Sequence, residues 1–168
     1  QVPSPNCDER PAGAEVELVV VHGISLPPGE YGGGWVEALF TNRLDPTAHP
    51  YFAEIAELRV SAHLLIDRDG QVTQFVPLNR RAWHAGASCF QGREACNDFA
   101  IGIELEGEDE VPYTEAQYAR LAEVIAALHE AYPALTAERV VGHADIAPGR
   151  KTDPGPAFDW GHLRHLLT

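Results

Sequence analysis

The 168-residue chain is long enough to bury a real core and fits one domain spanning residues 1–168. Hydrophobic residues at 45% and charged residues at 22% are the proportions of an ordinary folded protein, which argues against disorder. A formal net charge of -13 argues against nucleic acid or an anionic membrane surface as partner, because phosphate binding needs clustered Lys and Arg.

No apolar run approaches the roughly eighteen residues of a membrane-spanning helix, and Gln1-Val-Pro-Ser-Pro shows no signal-peptide pattern. Three cysteines, Cys7, Cys89 and Cys96, are an odd number without CxxC spacing. Reduced thiols in a cytosol are the expectation, a Cys89–Cys96 disulfide the weaker alternative.

The first element in chain order is Glu15–Val21, which alternates and then turns continuously apolar, as a strand entering a buried sheet does. It delivers His22 at its end. Leu26–Gly34 is a loop by its Pro and Gly content, and Trp35–Phe40 has a short helical pattern. Val60–Ile66 and Gln71–Val76, joined by Asp67-Arg-Asp-Gly70, predict a hairpin with an Asp-Gly turn. Phe99–Glu106 predicts a strand with Ile101, Ile103 and Leu105 on one face and Gly102, Glu104 and Glu106 on the other. Thr114 and Gln117 form a capping box, and the stripe Tyr118, Leu121, Ala122, Ile125, Leu128 predicts a helix ending before Pro133. Arg139–His143 reads as a short strand that again ends in histidine, and Asp159–Leu167 as a closing helix. Mixed strands and helices predict an α/β fold, a sheet with helices packed on it.

Position sorts the eight histidines. His22 and His143 end apolar strands, and from spacing alone they read equally well as metal ligands or as hydrogen-bonded structural residues. Asp153 before Pro154-Gly155 is either a turn-starting Asp or a carboxylate ligand; two imidazoles, one carboxylate and an open fourth position make a catalytic zinc set. Glu104 and Glu106 read as a solvated strand face or as a general base beside a metal, with nothing to choose between them. Lys151 is the only lysine, set between His143 and Asp153 in a Pro/Gly-rich segment, while eleven arginines carry every other basic charge. A flexible ammonium there suits an active site better than a surface role. Trp83-His84-Ala85-Gly86 is either a stacking patch or core, and Arg59, Arg81 and Arg93 are either carboxylate binders or surface arginines.

Six segments occur in one order along nearly the whole chain: Val21–Gly29, Val60–His63, Arg81–Gly86, Cys96–Phe99, Gly102–Gly107 and His143–Gly155. Together they resemble the zinc-dependent N-acetylmuramoyl-L-alanine amidases of the type-2 amidase and peptidoglycan-recognition fold, in particular the cytosolic type that cleaves 1,6-anhydro-muropeptides in peptidoglycan recycling. The resemblance implies a single domain with a central mixed β-sheet flanked by α-helices. It implies Zn2+ held by His22, His143 and Asp153, Glu104 rather than Glu106 as catalytic acid/base, and Lys151 as oxyanion stabiliser. Arg59, Trp83, His84 and Asn97 follow as substrate-binding residues, with a small muropeptide as substrate, a cytoplasmic location and a monomeric state. Two departures stand out: Gly23 where relatives often have Asn, and Ala144 where many have Cys. The competing readings are a non-catalytic peptidoglycan-binding module and a secreted or phage-type amidase acting on intact peptidoglycan.

Overall fold

Nine strands and five α-helices are distributed over residues 1–168 of the computed structural model. In chain order they are β1 (Cys7–Glu9), β2 (Leu18–Ile24), α1 (Trp35–Phe40), α2 (Pro50–Ile55), β3 (Leu64–Ile66), β4 (Val72–Gln74), β5 (Arg80–Ala82), β6 (Cys89–Phe90) and β7 (Arg93–Glu94). There follow β8 (Ala100–Glu106), α3 (Glu115–Ala131), β9 (Val140–Gly142), α4 (His143–Ile146) and α5 (Trp160–Leu166). This is the expected single-domain α/β architecture, built on a central five-stranded sheet of order β4-β3-β8-β2-β9. Strands β3, β8, β2 and β9 are parallel, with β9 at one edge, and β4 closes the other edge antiparallel to β3. The pairs β1–β5 and β6–β7 lie outside that sheet.

Leu18, Val19, Val20 and Val21 are all fully buried, as the continuous apolar run of a strand covered on both faces requires. One face, carrying Val19, Val21, Ile101, Ile103 and Leu105, packs on Tyr118, Leu121, Ile125 and Leu128 of α3 and on Phe158 and Leu163. The opposite face begins apolar with Leu18, Val20 and Ala100, which meet Ala85, Cys96, Phe99 and Ile146. It then turns polar at His22 and Glu104 toward the C-terminal ends of the parallel strands, where open α/β sheets place their ligand sites. A third apolar cluster joins α1, Phe52 of α2, Phe75 and Val76 beside it.

The expected helices form. The capping box at Thr114 and Gln117 is present in both directions and starts α3, and Asp159 caps α5 by accepting from the His162 N–H. The expected Val60–Ile66 strand is shorter, β3 starting only at Leu64, and the expected Arg139–His143 strand stops at Gly142. His143 instead opens α4, where the Asp145 carboxylate accepts from the Gly142 N–H at 2.7 Å and turns the chain. All three cysteines are free. No helix is long and apolar enough to cross a membrane.

Candidate active site

Parallel pairing puts His22 of β2 directly across from Glu104 of β8, and β9 runs alongside β2 so that the chain leaves it at His143. The loop after α4 returns Asp153 to the same point, tied by the Ala144 N–H to the Asp153 carbonyl at 3.0 Å. Three side chains from three parts of the sequence therefore converge.

His22 Nδ1 and His143 Nδ1 are 3.0 Å apart, and Asp153 carboxylate oxygens lie 3.3 Å from the first and 3.2 Å from the second. His22 and His143 are buried, and the Asp153 side chain is 17% exposed. Burial pushes the His22 imidazole below its ordinary value, against the pull of Asp153, so it is neutral near pH 7. Asp153 is held in the opposite sense. Burial alone would raise it, but the adjacent His143 and His22 imidazoles outweigh that and hold it well below the usual carboxylate range. Two imidazole nitrogens and an ionised carboxylate aimed at one another are a cation-binding cluster. Four ligands about 2.0–2.1 Å from a tetrahedral ion stand about 3.3 Å apart, so the spacing fits zinc.

Glu104 sits next to this cluster, nearly fully buried, with Oε2 lacking any hydrogen-bond partner. Burial first, then the Asp153 charge, push its carboxyl well above the usual range, with Lys151 pulling the other way. A buried carboxyl with an unused oxygen beside a cation cluster is the arrangement of a proton-transfer group. The side chains divide the strand face between them: Glu104 opens onto the cleft, whereas Glu106, also buried, accepts from the Gly32 and Arg68 N–H groups and braces the loop before α1.

The cleft has a volume of about 680 Å³. His22, Glu104, His143 and Asp153 line it, Lys151 stands exposed at its rim, and Leu39, Tyr51, Ile55, Leu58 and Trp83 give it an apolar wall. Trp83 and His84 line this cleft. Arg59 and Asn97 are placed differently. Arg59 lies outside the lining, bonded to the Ala56 and Leu58 carbonyls and 3.9 Å from Glu57. Asn97 sits behind the cleft wall, its Oδ1 accepting from the His84 and Ala85 N–H groups at 3.0 and 2.8 Å.

Tyr113 was not singled out by the sequence, yet its hydroxyl donates to the Pro154 carbonyl at 2.9 Å, one residue from Asp153. It also explains Gly23: a Cβ there would lie 2.3 Å from that hydroxyl, so a residue such as Asn needs Tyr113 moved. The only sequence signal was an aromatic just before a helix cap, which core packing explains equally well.

A family model for N-acetylmuramoyl-L-alanine amidases matches residues 12–156. The 1,6-anhydro-N-acetylmuramyl-L-alanine amidase AmpD of Escherichia coli (strain K12) is 62% identical over 168 residues, covering 100% of this chain and 91% of that protein. Among solved structures, a crystal structure of a selenomethionine AmpD derivative matches with TM-score 0.97 and 62% identity over 99% of this chain and 93% of that one. AmpDh3 from Pseudomonas aeruginosa in complex with anhydromuramic pentapeptide matches at TM-score 0.67 and 30% identity, covering 93% of this chain and 61% of that one. With its cleft, its cation cluster and this match over most of its length, the chain belongs to the N-acetylmuramoyl-L-alanine amidase family and is a hydrolase of amide bonds.

Proposed function

We propose that the chain is a zinc amidase that hydrolyses the amide between the lactyl group of 1,6-anhydro-N-acetylmuramic acid and the L-alanine of a stem peptide, in peptidoglycan recycling. The observation that carries the reading is the convergence of His22 Nδ1, His143 Nδ1 and Asp153 within 3.3 Å beside the unpartnered oxygen of Glu104. The names of the similar proteins supply the substrate class. The names of the similar proteins, with three free cysteines as a reducing compartment would leave them, support a cytoplasmic enzyme acting on soluble muropeptides, which we take to work as a monomer.

His22, His143 and Asp153 would hold the zinc, which when bound supplies Lewis acidity and lowers the pKa of water. Glu104 takes the proton of the attacking water and later passes it to the departing alanine nitrogen, the two-way role that its raised pKa suits. The Lys151 ammonium reaches from the rim to the carbonyl oxygen as negative charge develops there, a contribution of about 3 kcal/mol. Trp83 and the neighbouring apolar wall take up the sugar and exclude water from the reacting centre.

The test is zinc content together with product analysis. Purified protein should carry about one zinc per chain, release the L-alanine-headed peptide from anhydro-muropeptide, lose that activity on chelation and regain it with zinc. Full turnover by zinc-free protein would overturn the metal assignment. Zinc-loaded protein that binds muropeptide without cutting it would make the chain a recognition module. Faster release from intact sacculi than from soluble anhydro-muropeptide would move the enzyme outside the recycling role.

A further inference from the structure

The segment after β5 touches both imidazoles of the cation cluster from behind. His143 Nε2 lies 3.1 Å from the Ala85 carbonyl oxygen. A carbonyl only accepts, so the proton of His143 sits on Nε2 and the Nδ1 lone pair is left facing the cluster. His22 is arranged in the same way, Nδ1 toward the cluster and Nε2 2.9 Å from His84 Nδ1. With the His22 Nδ1 lone pair committed to a cation, its proton sits on Nε2 and is donated to His84 Nδ1.

Nothing else claims the His84 ring. Its Nε2 is buried without a hydrogen-bond partner, so His22 is the sole polar contact of this imidazole. An unpaired buried polar group costs free energy, which a side chain serving only as packing would avoid by being apolar. The fold also makes room for it. A Cβ on Gly102 of β8 would lie 2.4 Å from His84 Cγ, so this strand must carry glycine where the ring crosses it.

The backbone of the segment is pinned from both ends. Asn97 Oδ1 accepts from the His84 and Ala85 N–H groups at 3.0 and 2.8 Å, and the Arg150 guanidinium donates to the Ala85 and Ala87 carbonyls at 2.6 and 2.8 Å. Arg150 adjoins Lys151, so the same segment that brings the rim ammonium also braces the back of the cluster.

We propose that His84–Ala85 is a clamp that fixes the tautomer and ring orientation of both metal-binding imidazoles, with His84 the positioning residue for His22 and Asn97 the pin that holds the clamp. The proposal rests on the zinc reading above. It gives His84 and Asn97 a task other than contact with substrate: a metal-bound imidazole gains basicity and a fixed angle when its second nitrogen donates to a placed acceptor.

Zinc affinity, measured by competition with a chromophoric chelator, tests it independently of turnover. His84→Ala should weaken zinc about 10–100-fold. His84→Gln, whose amide oxygen can accept from His22, should recover part of that loss. Gly102→Ala leaves every polar group in place and drives the ring aside, so it should weaken zinc in the same direction. Cobalt-substituted His84→Ala should show a shifted visible spectrum, and long-range 1H–15N spectra of the unaltered zinc protein should place the His22 proton on Nε2.

Zinc affinity of His84→Ala within about twofold of the unaltered protein, with an unchanged cobalt spectrum, would overturn the proposal. So would a His22 proton found on Nδ1. Should His84→Ala fail to fold, the Gln variant and the His22 spectrum still decide. Failure of the unaltered protein to bind zinc at all would defeat the zinc reading instead, which keeps the two failures apart.

Discussion

The two faces of the central sheet share the same strands and do opposite work. Toward α3, β2 and β8 present Val19, Val21, Ile101, Ile103 and Leu105, a hydrocarbon layer with no polar side chain from these strands. Toward the cleft the same strands present His22, Gly102 and Glu104, which are buried at a cost and, in Glu104, left with an oxygen unpaired. Alternation along a strand makes this division available: neighbouring residues point to opposite sides, so rigidity is built by one set and chemistry is carried by the other. Substitutions on the two faces should therefore separate stability from activity.

The largest effect falls on the cleft face. Glu104→Gln should lower the rate of anhydro-muropeptide hydrolysis by about 10²–10⁴-fold and Lys151→Ala by about 10²–10³-fold, with zinc retained in both. Urea unfolding should find Glu104→Gln at least as stable as the unaltered protein, since burial pushes that carboxyl toward its neutral form. A large loss of stability in that variant would erase the contrast between the faces.

Ile103→Ala on the α3 face should do the reverse. Ile103 is fully buried, so the truncation should cost about 2–5 kcal/mol in denaturant unfolding while the turnover of the folded fraction stays near that of the unaltered enzyme. A rate loss comparable to that of Lys151→Ala would show the faces to be coupled.

A smaller effect sharpens the comparison through pH. His63 lies on the cleft side, its Nδ1 accepting from the Gly102 N–H and its Nε2 donating to the Arg80 carbonyl. Burial lowers its pKa to about 4. Folded His63 is then neutral where the unfolded chain, near 6.5, takes up a proton. Its contribution is complete above about pH 6.5 and is lost as pH falls toward 4. Between pH 7 and pH 5 this residue alone should remove about 2 kcal/mol of stability. Unfolding of His63→Gln at both pH values should show a slope shallower by that amount, and an equal slope would contradict the assignment.

How much of this was legible in the sequence follows from the range of the interactions. Helix α3 was visible because its signals are local: Thr114 and Gln117 cap it and the apolar stripe repeats within it. The strands β1 and β5–β7 were not, because they are two or three residues long and pair with distant or irregular partners, Cys7 with Ala82 for instance. Helix α2 was missed as well; its cap is His49, an uncommon choice, followed by Pro50.

At the site, the chemistry of His22, His143 and Asp153 could be read from residue type and position, but their convergence depends on the parallel pairing of β2 with β8 and β9. The division of labour between Glu104 and Glu106 was beyond local pattern for the same reason. Both lie on one strand face, and what covers each is set by segments far away in the chain, Asp153 and Lys151 for one, Gly32 and Arg68 for the other. The place of His84 needed tertiary structure too, because the space it fills is made by Gly102 on β8.

The central claim is that one divalent cation is held by His22, His143 and Asp153, and anomalous diffraction at the zinc edge tests it most directly. The account predicts a single peak about 2.0–2.2 Å from His22 Nδ1, His143 Nδ1 and an Asp153 carboxylate oxygen. A zinc peak ligated by other residues, or no peak from protein that still hydrolyses anhydro-muropeptide, would contradict it.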